Sequence, residues 1–359
     1  MKKTILLMTL LLLVGTGVSH AQKKYALYGV GFYNLENLFD TQHDDGKNDY
    51  QYLPDGTNKW TELKYQHKLK NMARVLAEMG TDKTPDGCAV IGVSEVENAH
   101  CLTDLCNQEP LRKRDFQFVH IEGPDQRGVD CALLYNPKLF QVRDAKLYPY
   151  VYKLPEDSAR ATRGFLAVSG TMAGEHVTII VNHLPSRFAG SYYREEGGRQ
   201  LRAVKELLQR EDRHVRILIM GDMNDDPQDK SMAEALGAVR KVKDVEKNGL
   251  WNPWWDTLAS GTGTLMYDGR WNLFDQIILS ENLLDLKKME KSLDFKAGDI
   301  NCKHLKYYRH QIFRRDYLFQ QEGKYKGNPL RTHAGGAWLD GYSDHLPTVV
   351  YLIKESSKK

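Results

Sequence analysis

Cysteine is scarce in this chain. Five occur among 359 residues, and no two stand in a C-x-x-C spacing, so the cysteines do not look like a zinc site. Charge of one sign is also missing: 50 Lys and Arg face 47 Asp and Glu, a formal net charge of +3. Lys2 and Lys3 account for most of that excess, so the rest of the chain is nearly neutral. Bulk charge therefore does not indicate a strongly basic nucleic-acid binder, and any attraction for phosphate must be local. Beyond the first residues no segment looks transmembrane, and no repeat of fixed short period is present.

The opening stretch, MKKTILLMTLLLLVGTGVSHAQ, is read as a secretory signal peptide. Lys2 and Lys3 form its basic region, Ile5 to Val14 its apolar region, and Ser19-His20-Ala21 the small-residue cleavage site. The expected organisation is a leader over 1–21 and a single catalytic domain over 22–359. The mature protein is expected to be exported, periplasmic or secreted, without stable membrane insertion, and a monomer. An exported compartment permits disulfides. Cys101 and Cys106 are close enough in sequence to pair, while Cys88 and Cys131 lie in apolar strands and read as core residues.

What the chain does have is a series of acidic and amide residues, each at the end of an apolar run. They occur in GFYNLEN (Asn34), VIGVSEVEN (Glu95), IIVNHLPSR (His183), ILIMGDMNDDP (Asp222, Asn224), NLFDQIILS (Asp275) and YSDHLP (Asp344, His345). Such runs read as buried strands, and a polar residue just past a strand is held in a fixed place. A single shared site is the simplest reading. Its donors are mostly oxygens and include no cysteine, which points to a hard cation such as Mg²⁺.

Between these runs lie helix patterns. Thr61 can cap a helix from Glu62 to Met79 with an apolar stripe that includes Leu63, Leu69, Met72, Val75 and Leu76, stopped by Gly80. A second helix is expected from Glu195 to Arg210. Strands outnumber helices and occur in adjacent pairs, which fits two mixed sheets packed face to face with helices outside. Residues 281–342 show little clear periodicity. Within them KHLKYYRHQIFRRDY interleaves basic and aromatic residues, which reads either as a strand-binding surface or as an amphipathic covering segment. The cluster of Trp251, Trp254 and Trp255 is open between core packing and a substrate platform.

In GDMND, Gly221 allows a tight turn, and Asp222 and Asn224 project the same way as alternate residues of an extended segment. Asp222 can orient or deprotonate water; Asn224 can hold a phosphate or the nucleophile. Asp344 and His345 are adjacent and point to opposite sides, so His345 needs its carboxylate partner from elsewhere, with Asp275 the best candidate and Asp344 left near the metal. Glu95 would be costly to bury alone, and a cation resolves that cost; Asn34 can assist through its side-chain oxygen. Arg187, beside His183, and Arg127 are phosphate-contact candidates.

This ordered set resembles the endonuclease/exonuclease/phosphatase superfamily over about residues 28–353. The resemblance implies a four-layered α/β sandwich and divalent-metal hydrolysis of phosphoesters, with Mg²⁺ as cofactor and Mn²⁺ able to substitute. It implies Glu95 as principal metal ligand with Asn34 and Asp344 nearby. Asp222 would align or deprotonate water, Asn224 orient the nucleophile or phosphate, His183 contact the phosphate, and His345 act with Asp275. The expected substrate is DNA or RNA. The alternative is a phospholipid headgroup or small phosphate ester, as in sphingomyelinases or inositol phosphatases; the segment DGRWNLFDQ departs from the inositol 5-phosphatase pattern.

Overall fold

The computed structural model describes residues 24–153 and 159–356. The expected leader lies outside the described residues. Two mixed sheets form the centre. The first runs in the order β14-β17-β1-β2-β4-β3, built from Lys306–Ile312, Thr348–Glu355, Tyr25–Leu38, Cys88–Val96, Asp130–Tyr135 and Gln117–His120. The second runs β5-β6-β7-β8-β13-β10-β9, from Phe140–Lys153, Ala159–Met172, Glu175–His183, Arg216–Asp222, Asp275–Ser280, Leu250–Trp251 and Ala238–Val239. Two short hairpins, β11 and β12 (Leu265–Tyr267, Arg270–Asn272) and β15 and β16 (His333–Ala334, Ala337–Trp338), stand apart from them.

The sheets pack through Phe32, Val90, Leu133, Val168, Val181, Leu218, Met220, Ile277 and Val350, all fully buried. Contact between the layers is close. A Cβ on Gly92 of β2 would come within 2.5 Å of Met220 Sδ and 3.1 Å of Val181 Cγ1. Outside the first sheet lie α1 (Glu62–Glu78), α2 (Ala99–Asn107) and the single turn α3 (Glu109–Arg112), over a second core that includes Leu69, Met72, Val75 and Leu76. Each such side chain contributes about 1.5–3 kcal/mol by its burial. The outer face of the second sheet is covered by α4 (Ser191–Glu211) through Leu201 and Val204. The result is the expected four-layered sandwich. Among the described residues no helix is long and apolar enough to cross a membrane.

Several local expectations need correction. Leu63 is 69% exposed rather than part of the α1 stripe, and Thr61 occupies the cap position without a side-chain cap bond. Cys101 and Cys106 form no disulfide. Cys101 and Cys106 share α2, and five residues on a helix of about 3.6 per turn place them on different faces. Gly221 is needed for a close approach rather than a turn: a Cβ there would meet the Asn182 carbonyl at 2.1 Å. The basic–aromatic run becomes β14, an edge strand on β17, with Arg309 over Tyr308 and Phe295 and Arg314 over Trp271 and Phe319. It is a covering segment. Trp251 and Trp254 are core residues.

Candidate active site

Strand direction explains why distant segments meet. β1 and β2 are parallel neighbours in one sheet, β7 and β8 in the other. The four carboxyl ends, carrying Asn34, Glu95, His183 and Asp222, open on one edge of the sandwich. β13 and β17 run antiparallel to β8 and β1, so their amino ends reach the same edge and deliver Asp275 and His345. Register completes the placement: Asp222 stands opposite His183 on one side and opposite Asp275 on the other.

The backbone is bent to aim these groups. Pairing of β1 with β2 shifts between Asn34 and Leu38, and pairing of β2 with β4 shifts between Ser94 and Val96. Glu36, Asn37, Glu95 and Asn224 have φ of 49°, 59°, 61° and 49°. Left-handed backbone at residues other than glycine costs on the order of 1–3 kcal/mol each and collects at functional sites, as do bulges.

The side chains form one continuous network. Asn34 Nδ2 donates to Asp222 Oδ2 at 3.0 Å, and the Asn224 amide donates to Asp222 Oδ1 at 2.9 Å. Asp222 Oδ2 also lies 3.6 Å from His183 Nε2 and 3.7 Å from His345 Nε2. Glu95 Oε1 is 3.8 Å from His183 Nε2, and its Oε2 accepts from the Asn37 amide at 3.0 Å. His345 Nδ1 pairs with Asp275 Oδ2 at 2.7 Å, while Asp344 Oδ1 lies 3.9 Å from its Nε2. The structure thus brings together Asn34, Glu95, His183, Asp222, Asn224, Asp275, Asp344 and His345.

The surroundings push the two histidines in opposite directions. His183 is buried and its Nδ1 sits 3.3 Å from Arg163 Nη1. A guanidinium only donates, so Nδ1 accepts and the ring proton stays on Nε2, facing Asp222 and Glu95. Burial first, then the charges of Arg163, Arg127 and His345, push its pKa well below the usual histidine value. His345 is buried too, and burial opposes its charged form. Asp275, Asp222 and Asp344 outweigh that effect and hold its pKa well above the usual value. Asp222 is moved upward, chiefly by burial and then by Asp275 and Glu95 against the opposing pull of His345 and the Asn224 amide. A carboxylate raised towards neutrality beside a fixed cation is suited to proton transfer.

Glu36, Arg163 and Arg331 join the site without having been expected there. Arg331 Nε donates to Glu36 Oε1 at 2.9 Å and the Thr332 amide to Glu36 Oε2 at 2.7 Å, while Arg331 Nη2 forms an ion pair with Asp344 Oδ2 at 3.0 Å. Lys68, fully buried on α1, anchors this wall through Thr332 Oγ1 and the Tyr342 carbonyl. Glu36 follows Asn34 by two positions, but its left-handed backbone lies within a shift of strand register, so alternation does not predict its direction. Arg163 and Arg331 had no local signal.

Arg187 is the expected phosphate contact that the structure places elsewhere. Its guanidinium is taken by Asp225 at 3.4 Å, Asp226 at 3.0 Å and Asp229 at 2.8 Å, and it lies over Phe274. A cation already matched by three carboxylates is a structural tie. Arg127 differs: it is exposed, and its charge acts on His183 and Tyr52, which sets it at the rim of the site.

Glu36, Glu95, Asp222 and Asp344 bring four carboxylates to one space, with Arg331 and His345 as the facing cations, and no sulfur is present. Asp275 adds a buried oxygen, Oδ1, that receives no hydrogen bond. This donor set fits a hard divalent cation. Fold and site together define a metal-dependent hydrolase of phosphate esters.

The family of that description matches residues 29–354, and the chain belongs to the endonuclease/exonuclease/phosphatase family. Among solved structures, the fold is similar to an endonuclease/exonuclease/phosphatase family protein from Bacteroides thetaiotaomicron, with TM-score 0.54, 15% identity, and coverage of 94% of this chain and 98% of that one. It is also similar to a mannosyl-6-phosphatase of that organism (TM-score 0.52, 15% identity, 90% and 99% covered). The human Nocturnin catalytic domain with bound sulfate is a third (TM-score 0.50, 14% identity, 93% and 98% covered). At these identities the likeness is one of fold alone. No curated protein matches the chain.

Proposed function

We propose that the protein is an exported, Mg²⁺-dependent phosphodiesterase that cuts nucleic-acid strands. The observation that carries this reading is the convergence on buried Asp222 of His183 Nε2 at 3.6 Å, His345 Nε2 at 3.7 Å and the Asn34 side chain at 3.0 Å. Water held by Asp222 is the nucleophile, and Asp222 takes its proton. The remaining N–H of the Asn224 side chain, whose other one is fixed on the Leu184 carbonyl at 2.9 Å, orients that water or a phosphate oxygen. His183 donates Nε2–H to a non-bridging oxygen. The His345 imidazolium, locked by Asp275, faces the charge that develops at phosphorus. Preorganised donors and charges of this kind are worth several kcal/mol in a site shielded from water.

Glu95, Glu36, Asn34 and Asp344 are the residues that would hold the cation. When bound, a divalent ion neutralises charge on the phosphate oxygens and lowers the pKa of water. Oxygen-only donors favour Mg²⁺, with Mn²⁺ able to replace it.

The nucleic-acid assignment is supported by the cleft beside Asp344. It has a volume of about 790 Å³ and is bordered by Tyr267, Tyr325, Lys324 and Arg331. Tyr267 and Tyr325 are 74% and 53% exposed. Exposed rings offer faces for bases, and the exposed Lys324 suits a phosphate. Incubation of the mature protein with plasmid DNA, RNA, sphingomyelin and a sugar phosphate, with Mg²⁺ and with EDTA, tests the reading. Metal-dependent cleavage of DNA or RNA is expected; activity on lipid or sugar phosphate alone would sink the nucleic-acid assignment. N-terminal sequencing of the exported protein should begin at Gln22.

A further inference from the structure

A second group of metal-type donors lies past the ends of β1 and β2, outside the machinery above. Asp40 follows β1, Glu97 follows β2, and Cys101 lies in the first turn of α2. One donor atom from each lies within 4.8 Å of the others. All three are buried, at 7%, 1% and 0% exposure. The Asp40 amide donates to Glu97 Oε2 at 2.8 Å, and Cys101 Sγ approaches that oxygen at 3.6 Å. The other oxygen of this carboxylate, Glu97 Oε1, is buried and receives no hydrogen bond. Asp44 sits nearby, tied to the Asn98 side chain at 3.2 Å. Among the described residues no Lys, Arg or His forms an ion pair with Asp40, Asp44 or Glu97.

Buried carboxylates are ordinarily matched by a cation or a full set of donors, because an unpaired one is expensive to hold out of water. Here two stand together, one oxygen orphaned, with a thiol completing the group. The paired-cysteine spacing whose absence excludes a thiolate-only site is not required for a mixed one.

We propose that Asp40, Glu97 and Cys101 form a second metal site and that its ion is Zn²⁺. Zinc takes carboxylate oxygen and thiolate sulfur together in tetrahedral sites, whereas Mg²⁺ does not take sulfur. Three protein ligands leave one position for water or for Asp44. On binding, the Cys101 S–H bond breaks, the S–Zn bond forms, and the proton leaves to solvent. The ion joins the chain leaving β1, the chain leaving β2 and the start of α2. Glu97 is two residues beyond Glu95, so the site fixes the strand ends that present Asn37 and Glu95.

The thiolate makes this site separable from the catalytic one, which holds no cysteine. Co²⁺, added to the mature protein, is the probe. A thiolate-to-cobalt charge-transfer band should appear in the near-ultraviolet at one equivalent, and Zn²⁺ should displace it. Cys101→Ser and Glu97→Gln should each abolish the band with the far-ultraviolet dichroism unchanged, and Cys88→Ser should retain it. Should a serine at 101 disturb folding, Asp40→Asn gives the same readout without touching the thiol. No band in the wild-type protein, as expected if a shared proton occupies the group instead, would overturn the proposal. So would a band that survives Glu97→Gln or Asp40→Asn.

Discussion

The site has a floor and a wall, and they are built differently. The floor is a row of strand ends. Asn34, Glu95, His183, Asp222, Asp275 and His345 meet because parallel strands end, and antiparallel strands begin, on one edge of the sandwich. The wall is made of the largely irregular chain between Tyr317 and Tyr342, which brings Tyr325 to the cleft and Arg331 to Glu36 and Asp344, and of the β11–β12 hairpin, which brings Tyr267. Sheet register positions the floor. Long-range contacts, chiefly Lys68 on Thr332 and Tyr342, position the wall. The floor is therefore assigned the chemistry and the wall the grip on substrate, and mutations should separate the two.

The largest effects belong to the floor. His345→Ala and Asp222→Asn should each lower kcat by about a thousandfold or more, with far-ultraviolet dichroism unchanged; turnover near wild type in either would mean that the chemistry lies elsewhere. Asp275→Asn should cost on the order of a hundredfold. It should also move the alkaline limb of the rate profile to lower pH. Burial alone depresses the His345 pKa, and Asp275 and Asp222 raise it above the usual value. Without Asp275 the ring loses its proton earlier as pH rises. An unmoved limb would show that His345 is not the group that titrates there.

Wall variants should act on KM. Arg331→Ala frees Glu36 and Asp344 of a shared cation and should weaken substrate binding about tenfold, with a smaller change in kcat. Tyr267→Ala and Tyr325→Ala should each raise KM several-fold or more for an oligonucleotide, since base stacking is worth about 1–3 kcal/mol. Hydrolysis of bis-p-nitrophenyl phosphate, too small to span the cleft, should be unchanged. Equal losses on both substrates would merge wall and floor. Arg187→Ala should have the smallest kinetic effect and instead lower Tm, because three aspartates lose their common partner.

The same division governs what can be read from the sequence. Strand-end residues are announced locally: an apolar run, then a carboxylate, amide or imidazole. The pairing of His345 with Asp275 is not announced in that way: spacing argues only against Asp344, and the choice of Asp275 leans on the family resemblance of the WNLFDQIILS segment. Arg187 misleads because its neighbours in the chain look like a phosphate turn, whereas the aspartates that satisfy it come from the loop after β8 and are visible only in three dimensions. Glu36 escapes strand alternation because the chain there is left-handed and shifts register. Arg331 and Arg163 escape because each is defined by a partner far away in the chain. β5 is an edge strand in which all but Phe140 and Tyr150 are exposed or half-buried, so no apolar run marks it. β14 hides for a related reason: its basic side chains lie over its own aromatic neighbours, which imitates a binding surface.

The opposed histidines are the feature on which the catalytic account stands. Imidazole nitrogen chemical shifts of metal-free protein near neutral pH report their protons directly. His345 should carry a proton on both ring nitrogens, and His183 should be neutral with its proton on Nε2. A neutral His345, or a doubly protonated His183, would contradict the assignment of charge to one side of Asp222 and a neutral donor to the other.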